Sequence, residues 1–201
     1  MTTIGIIRHG STLWNKEGRA QGSSDIPLDE EGLFEAHKLS DRLGKENWDV
    51  IFSSDLLRAK QTTEIISSYI RDVPIYYDHR LREVLGGQIE GTTEQERIEK
   101  WGKEWRNLDL GIESSESLLV RTNSLIDEIA YKHKNKKILI VSHGSFIKHL
   151  LRNFVSNINL DEQMRNSSIT KITLSNEGWR CELYNCTKHL EDDTSTLLTE
   201  L

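Results

Sequence analysis

The chain has 201 residues, 36% of them hydrophobic and 29% charged, with a formal net charge of −6 at pH 7. That length suits one soluble α/β domain able to bury its own core without a metal or disulfide staple. The two cysteines, Cys181 and Cys186, make no CxxC pair or zinc ligand set. The acidic balance argues against a general nucleic-acid binder, and no stretch approaches the roughly 20 apolar residues of a membrane span. With no basic, apolar and small-residue pattern of a secretory leader at the start, the expectation is a cytoplasmic protein.

Thr3 to Ile7 is a β-branched run suited to a strand buried on both faces. From Asp29 to Lys45, Leu33, Ala36, Leu39 and Leu43 recur at helical spacing, with Asp29 as the cap. A short strand follows at Asp49–Ser53, then a helix carrying Leu56, Ala59, Thr63, Ile66 and Ile70. Ile75–Asp78 reads as a third strand behind Pro74. The charged stretch from Glu90 to Ser117, with Trp101 and Trp105, breaks the β-α alternation. It reads as a helical insertion or lid at about 90–117 within one domain spanning 1–201; the tryptophans suit an apolar entrance or core packing equally.

Leu118–His133 has the stripe of an amphipathic helix, ILIVSHG is a second apolar run ending in a basic residue and a glycine, and Phe146–Val155 is the helix after it. Strands at Ile169–Leu174 and Trp179–Tyr184 are joined across Asn176-Glu177-Gly178, and the residues after His189 read as a loose polar tail. The alternation predicts a largely parallel sheet with helices on both faces.

In such a sheet, ligands gather outside the carboxyl ends of the strands. Arg8 and His9 follow the first strand, Arg58 lies shortly after the second, Glu83 after the third, and His143 stands before Gly144 at the end of ILIVSHG. Arginines grip phosphate oxygens through paired N–H groups. A neutral imidazole is a nucleophile, and a protonated carboxyl can serve a leaving oxygen. Gly10 and Gly144 permit close approach, and Gly144 opens a helix whose N-terminus favours an anion. His, His and Glu could also ligate zinc, although two arginines would repel a cation and no HExxH spacing is present. A serine hydrolase is disfavoured because VSHGS lacks the GxSxG elbow.

With these residues in place, the sequence resembles the histidine phosphatase superfamily, the phosphoglycerate-mutase-like enzymes. RHGSTLWN carries the hallmark Arg-His-Gly. GRAQGSSDIPLDEEG, SSDLLRAKQT, LREVLGGQIEG and VSHGSFIKHLL follow in family order, from about residue 4 to about 155. The resemblance implies a three-layer α/β/α sandwich around a mostly parallel sheet with one antiparallel strand. It implies His9 as the phosphorylated nucleophile, Arg8, Arg58 and His143 around the phosphate, and Glu83 as proton donor. Asn15 would add a phosphate hydrogen bond, and Gln21 and Gly22 substrate contacts. No metal or organic cofactor is implied, and the partner is a small phosphorylated substrate.

Ser11 stands where many members carry Glu or Gln, so the support of the pocket is expected to differ. Only about sixty residues separate Glu83 from His143, as in the shorter phosphatase branch. Phosphatase is therefore favoured over cofactor-dependent mutase, with a non-catalytic phosphate-binding module as the third reading. Arg80 and Arg82 read as ordinary surface charge. Monomer and dimer stay open.

Overall fold

The computed structural model describes residues 1–156 and 158–191. The elements run β1 (Thr2–Arg8), α1 (Leu13–Lys16), α2 (Glu30–Leu43), β2 (Val50–Ser53), α3 (Leu57–Tyr69) and β3 (Ile75–Tyr77). They continue with α4 (Glu94–Trp101), α5 (Ser115–Lys132), β4 (Lys137–Ser142), α6 (Gly144–Phe154), β5 (Ile169–Ser175) and β6 (Gly178–Cys186). The six strands form one sheet in the order β3-β2-β4-β1-β5-β6. β1, β2, β3 and β4 pair in parallel; β5 runs against both β1 and β6, so it alone points the other way.

Alternation along the central strands divides the core. Ile4, Ile6, Ile138 and Ile140 pack beneath α5 and α6 with Leu125, Ile129, Phe146 and Leu150. Ile7, Leu139, Val141 and Ile51 face α2 and α3 through Leu39, Leu43, Ala59 and Ile66. Both faces of β1 and β4 are thus covered, which is why these strands read as unbroken apolar runs rather than alternating ones.

Two local readings change, and one short helix has no apolar pattern in the sequence. The buried stripe of α2 is Gly32, Ala36, Leu39, Ser40 and Leu43, and Leu33 is 39% exposed. Gly32 takes the inward place because it lies on the backbone of Ser11, where a Cβ would come 2.1 Å from the Ser11 carbonyl oxygen. α1 is a single turn, too short to carry an apolar period, and it stands on a capping box between Thr12 and Asn15. α5 starts at Ser115, ahead of its first apolar residue, because the Ser114 hydroxyl caps it by accepting from the Ser117 N–H at 3.2 Å. Most of the predicted polar tail, residues 192–201, lies outside the described residues.

The segment between Glu90 and Ser117 is pinned to the loop after α1. Ala20 N–H donates to the Thr92 carbonyl (3.0 Å) and Gly91 N–H to the Ala20 carbonyl (2.8 Å). Arg19 adds bonds to the Gly91 carbonyl (2.7 Å) and the Glu96 carboxylate (2.8 Å). Trp105 is buried within this segment, its indole N–H on Glu94 at 3.0 Å.

Candidate active site

Sheet register brings the first site residues together. Arg8 pairs with Ser142 and Ser53 with Val141, so β1, β4 and β2 end side by side. The next residues along each chain are His9, His143 and Ser54, all buried. α3 returns Arg58 beneath them from its first turn, and that arginine is fully buried.

The hydrogen bonds fix both imidazole tautomers. His9 Nδ1 lies 2.7 Å from the Gly10 carbonyl oxygen, which can only accept, so Nδ1 carries the proton. Nε2 is then the lone-pair nitrogen, and it accepts from Arg58 Nε at 3.3 Å. The same N–H also reaches His143 Nδ1 at 3.1 Å, which leaves the His143 Nε2–H to donate to Ser54 Oγ at 2.8 Å. Burial, followed by the charges of Arg58 and Arg8, holds the His9 pKa well below its ordinary value. His143 is lowered in the same way, chiefly by burial and Arg58. His9 Nε2 is therefore unprotonated at neutral pH.

Among the described residues no carboxylate forms an ion pair with Arg58. Its two terminal nitrogens donate to the Ser24 carbonyl (2.8 Å) and the Gly22 carbonyl (2.9 Å). Burial lowers its pKa to about 10, so it is a cation at pH 7 that lacks an adjacent counter-charge. Arg8 bonds the Met164 carbonyl, and its buried Nε has no partner among the described residues. Its pKa is lowered by burial, against the charges of Glu83 and Glu35. Two desolvated guanidiniums beside a lone-pair imidazole make a site for a dianion.

Glu83 is held at the start of α6. Its Oε1 accepts from Val84 N–H and Phe146 N–H, each at 2.9 Å, and its Oε2 from Ser145 N–H at 3.1 Å. The amides of this helix end are thus taken by the Glu83 carboxyl group itself. Gly144 lies against Arg8, where a Cβ would come 3.4 Å from Nε.

Asn15 Oδ1 is occupied by Thr12 N–H (3.2 Å), Thr12 Oγ (3.0 Å) and Asn166 Nδ2 (3.1 Å), so only its amide N–H groups remain for a ligand. Gln21 donates to Thr12 Oγ at 2.9 Å, and its buried Oε1 is unpartnered among the described residues. Gly22 contributes its carbonyl to Arg58 rather than a wall of the cleft.

These groups open into a cleft of about 250 Å³ whose walls include Arg8, His9, Asn15, Gln21, Arg58 and Glu83. The tryptophan at its edge is Trp14, while Trp101 and Trp105 do not line it. Arg80 is tied to Asp78 and Glu128, and Arg82 to Asp55. Among the described residues no three His, Cys, Asp or Glu side chains gather so as to hold a metal ion, and no helix is long and apolar enough to cross a membrane.

The sequence model of the histidine phosphatase superfamily (branch 1) matches residues 4–187. The chain belongs to that superfamily. As a histidine phosphatase superfamily member it is 33% identical over 195 residues to the uncharacterized phosphatase PhoE of Bacillus subtilis, covering 94% of this chain and 97% of that one. Bacillus stearothermophilus YhfR superposes with a TM-score of 0.84 at 31% identity, over 95% of this chain and 100% of its own. A mutant phosphoserine phosphatase from Entamoeba histolytica, solved with phosphoserine, superposes at 0.76 with 26% identity, over 95% and 100% of the two chains. The six-stranded sheet and its flanking helices are the fold of this superfamily.

Several supporting residues carry no motif of their own. Ser54 orients His143. Glu90 holds the loop that supplies the Arg58 acceptors, through Ser23 N–H (2.9 Å), Gly86 N–H (2.9 Å) and Ser24 Oγ (2.8 Å). Asn166 donates to the His9 carbonyl at 3.1 Å. Ser11 makes up for its short side chain by recruiting α2: its N–H bonds Glu35 at 2.9 Å and its hydroxyl bonds Asp29 at 3.1 Å. Ser54 and Glu90 lie inside the segments SSDLLRAKQT and LREVLGGQIEG, which carry their positions but not their partners; Asn166 gives no signal.

Proposed function

We propose that this chain hydrolyses small phosphomonoesters through a phosphohistidine on His9. The observation that carries the reading is the His9 tautomer: Nδ1–H locked on the Gly10 carbonyl, with the Nε2 lone pair beside Arg58 at the cleft floor. Nε2 attacks phosphorus, an N–P bond forms, and the bond to the leaving oxygen breaks. Arg8 and Arg58 neutralise the equatorial oxygens, where most of the catalysis of phosphoryl transfer resides.

Glu83 supplies the proton to the leaving oxygen. Its Oε1 is taken by two amides, so the proton belongs on Oε2, which accepts only one. In the second half, water attacks phosphorus and gives its proton to the Glu83 carboxylate, and inorganic phosphate leaves with His9 restored. His143 acts on the phosphate through Arg58, whose Nε it shares with His9. Asn15 adds an amide donor to the phosphate, and Gln21 lines the approach.

A cleft of about 250 Å³ is below the range of drug-sized ligand sites, which favours phosphate with a small leaving group. The test is hydrolysis of p-nitrophenyl phosphate in excess EDTA. Activity is expected in the wild-type chain and absent in His9→Ala, and strict dependence on added metal contradicts the mechanism. Incubation with 3-phosphoglycerate and a trace of 2,3-bisphosphoglycerate should release phosphate; fast isomerisation without release identifies a mutase instead.

A further inference from the structure

Glu83 sits on a stretch of chain with no regular structure of its own. Residues 82–86 belong to no helix or strand, so their backbone groups need partners from elsewhere. Arg121, on α5, supplies them. Its Nη1 donates to the Arg80 carbonyl at 2.7 Å and the Arg82 carbonyl at 2.9 Å, and its Nη2 to the Glu83 carbonyl at 3.3 Å. The two remaining N–H groups meet the Glu113 carboxylate side-on, Nε at 2.8 Å and Nη2 at 2.7 Å. All five donors of the guanidinium are thereby used.

Glu113 extends the hold along the chain. Its N–H donates to the Leu85 carbonyl at 3.0 Å, and its carboxylate accepts from the Leu85 N–H at 3.4 Å. The Arg121 guanidinium also lies 5.0 Å from the centre of the Phe146 ring, and the Phe146 N–H is one of the amides on Glu83 Oε1. Arg121 therefore touches both the backbone that carries Glu83 and the residue that orients its carboxyl group. Because Glu113 answers its charge at 2.7 Å, the hold brings no unbalanced cation to the back of the acid. Arg121 does not line the catalytic cleft, and it reaches the chemistry only through Glu83.

We propose that Arg121, paired with Glu113, is the positioning residue of the proton donor: it fixes the Glu83 carboxyl group against the leaving oxygen and so sets how fast esters with poor leaving groups are cleaved. This rests on the reading of Glu83 as the general acid of a phosphomonoesterase and adds what keeps that acid within reach. A proton passes only over hydrogen-bond distance, and a misplacement of about 1 Å can cost about 100-fold in rate. The requirement falls on one class of substrate. An alkoxide must be protonated as it leaves, whereas p-nitrophenolate departs as a stable anion.

The test compares kcat/KM, which reports the reaction only up to departure of the leaving group, on p-nitrophenyl phosphate and on the faster of two alkyl esters, O-phosphoserine and glycerol 3-phosphate. Arg121→Met should lower it about tenfold or more on the alkyl ester and less than about threefold on p-nitrophenyl phosphate. Arg121→Lys, which keeps the charge beside Glu113 but cannot span three carbonyls, should show the same bias to a smaller degree. In a Glu83→Gln background, Arg121→Met should add no further bias, since the group it positions is gone. Melting curves establish that each variant folds, and Arg121→Lys carries the test if Arg121→Met does not fold. Equal losses on the two esters, or the same bias with and without Glu83, overturn the inference while p-nitrophenyl phosphate hydrolysis keeps the phosphatase reading intact. A wild-type chain that cleaves p-nitrophenyl phosphate but neither alkyl ester overturns it as well. A Glu83→Gln variant that loses no more on the alkyl ester than on p-nitrophenyl phosphate removes Glu83 as the acid, and the inference with it. Failure to hydrolyse any of the three esters removes the phosphatase reading itself.

Discussion

Gly22 is where backbone conformation, a buried arginine and a distant carboxylate meet, and replacing it with alanine tests how the phosphate floor is held. Its φ is +48°, a region that costs a residue with a Cβ about 1–2 kcal/mol. The added Cβ would lie 2.0 Å from Glu90 Oε1 and 2.5 Å from its carboxyl carbon, so Glu90 must leave. Glu90 accepts from Ser23, Gly86 and Ser24, and each bond to a charged group is worth about 1.5–3 kcal/mol. Losing two of the three and adding the backbone strain gives about 4–8 kcal/mol. In a chain of this size that lowers the melting temperature on the order of 15 °C. Activity should fall with it, because the displaced loop carries both carbonyls that hold Arg58.

The assay is a double-mutant cycle by urea and thermal unfolding. Glu90→Ala already removes the clash and the bonds, so adding Gly22→Ala to it should cost only the backbone strain of about 1–2 kcal/mol. The same large cost for Gly22→Ala in both backgrounds would show that Glu90 is not what the glycine accommodates.

Two further outcomes are expected. Ser54→Ala leaves the buried His143 Nε2–H without its acceptor, a cost of about 1–3 kcal/mol; melting should fall by several degrees and kcat/KM about tenfold, and an unaltered enzyme refutes the role. His9 and His143 are both held neutral by burial, so the unfolded chain takes up protons below pH 6.5 that the folded chain refuses. Folding stability is then full well above pH 6.5 and falls as pH drops below it. Urea unfolding at pH 7.5 and 5.5 measures this, and equal or greater stability at pH 5.5 contradicts it.

What the sequence revealed follows from which interactions have a local pattern. The strands that end at Arg8 and Ser142 were legible because burial on both faces forces unbroken apolar runs, and the order of the motifs supplied Arg58 and Glu83. The face of α2 was misjudged at Leu33 because Gly32 packs through its lack of a side chain, which apolar periodicity cannot register. α1 was missed because one turn held by a capping box has no period. The two imidazole tautomers, the Glu90 brace and the Asn166 contact with the His9 carbonyl depend on loops far apart in sequence.

The central claim is that the phosphoryl group passes to His9, and to Nε2 in particular, because Nδ1 is committed to the Gly10 carbonyl. Rapid acid-free quenching of the chain with a labelled phosphomonoester, followed by phosphorus NMR of the trapped enzyme, measures it directly. The expected product is an Nε2-phosphohistidine, labile in acid, stable in base and absent from His9→Ala. A phosphoester stable to acid, a phosphorylated Nδ1, or label retained in His9→Ala contradicts the account.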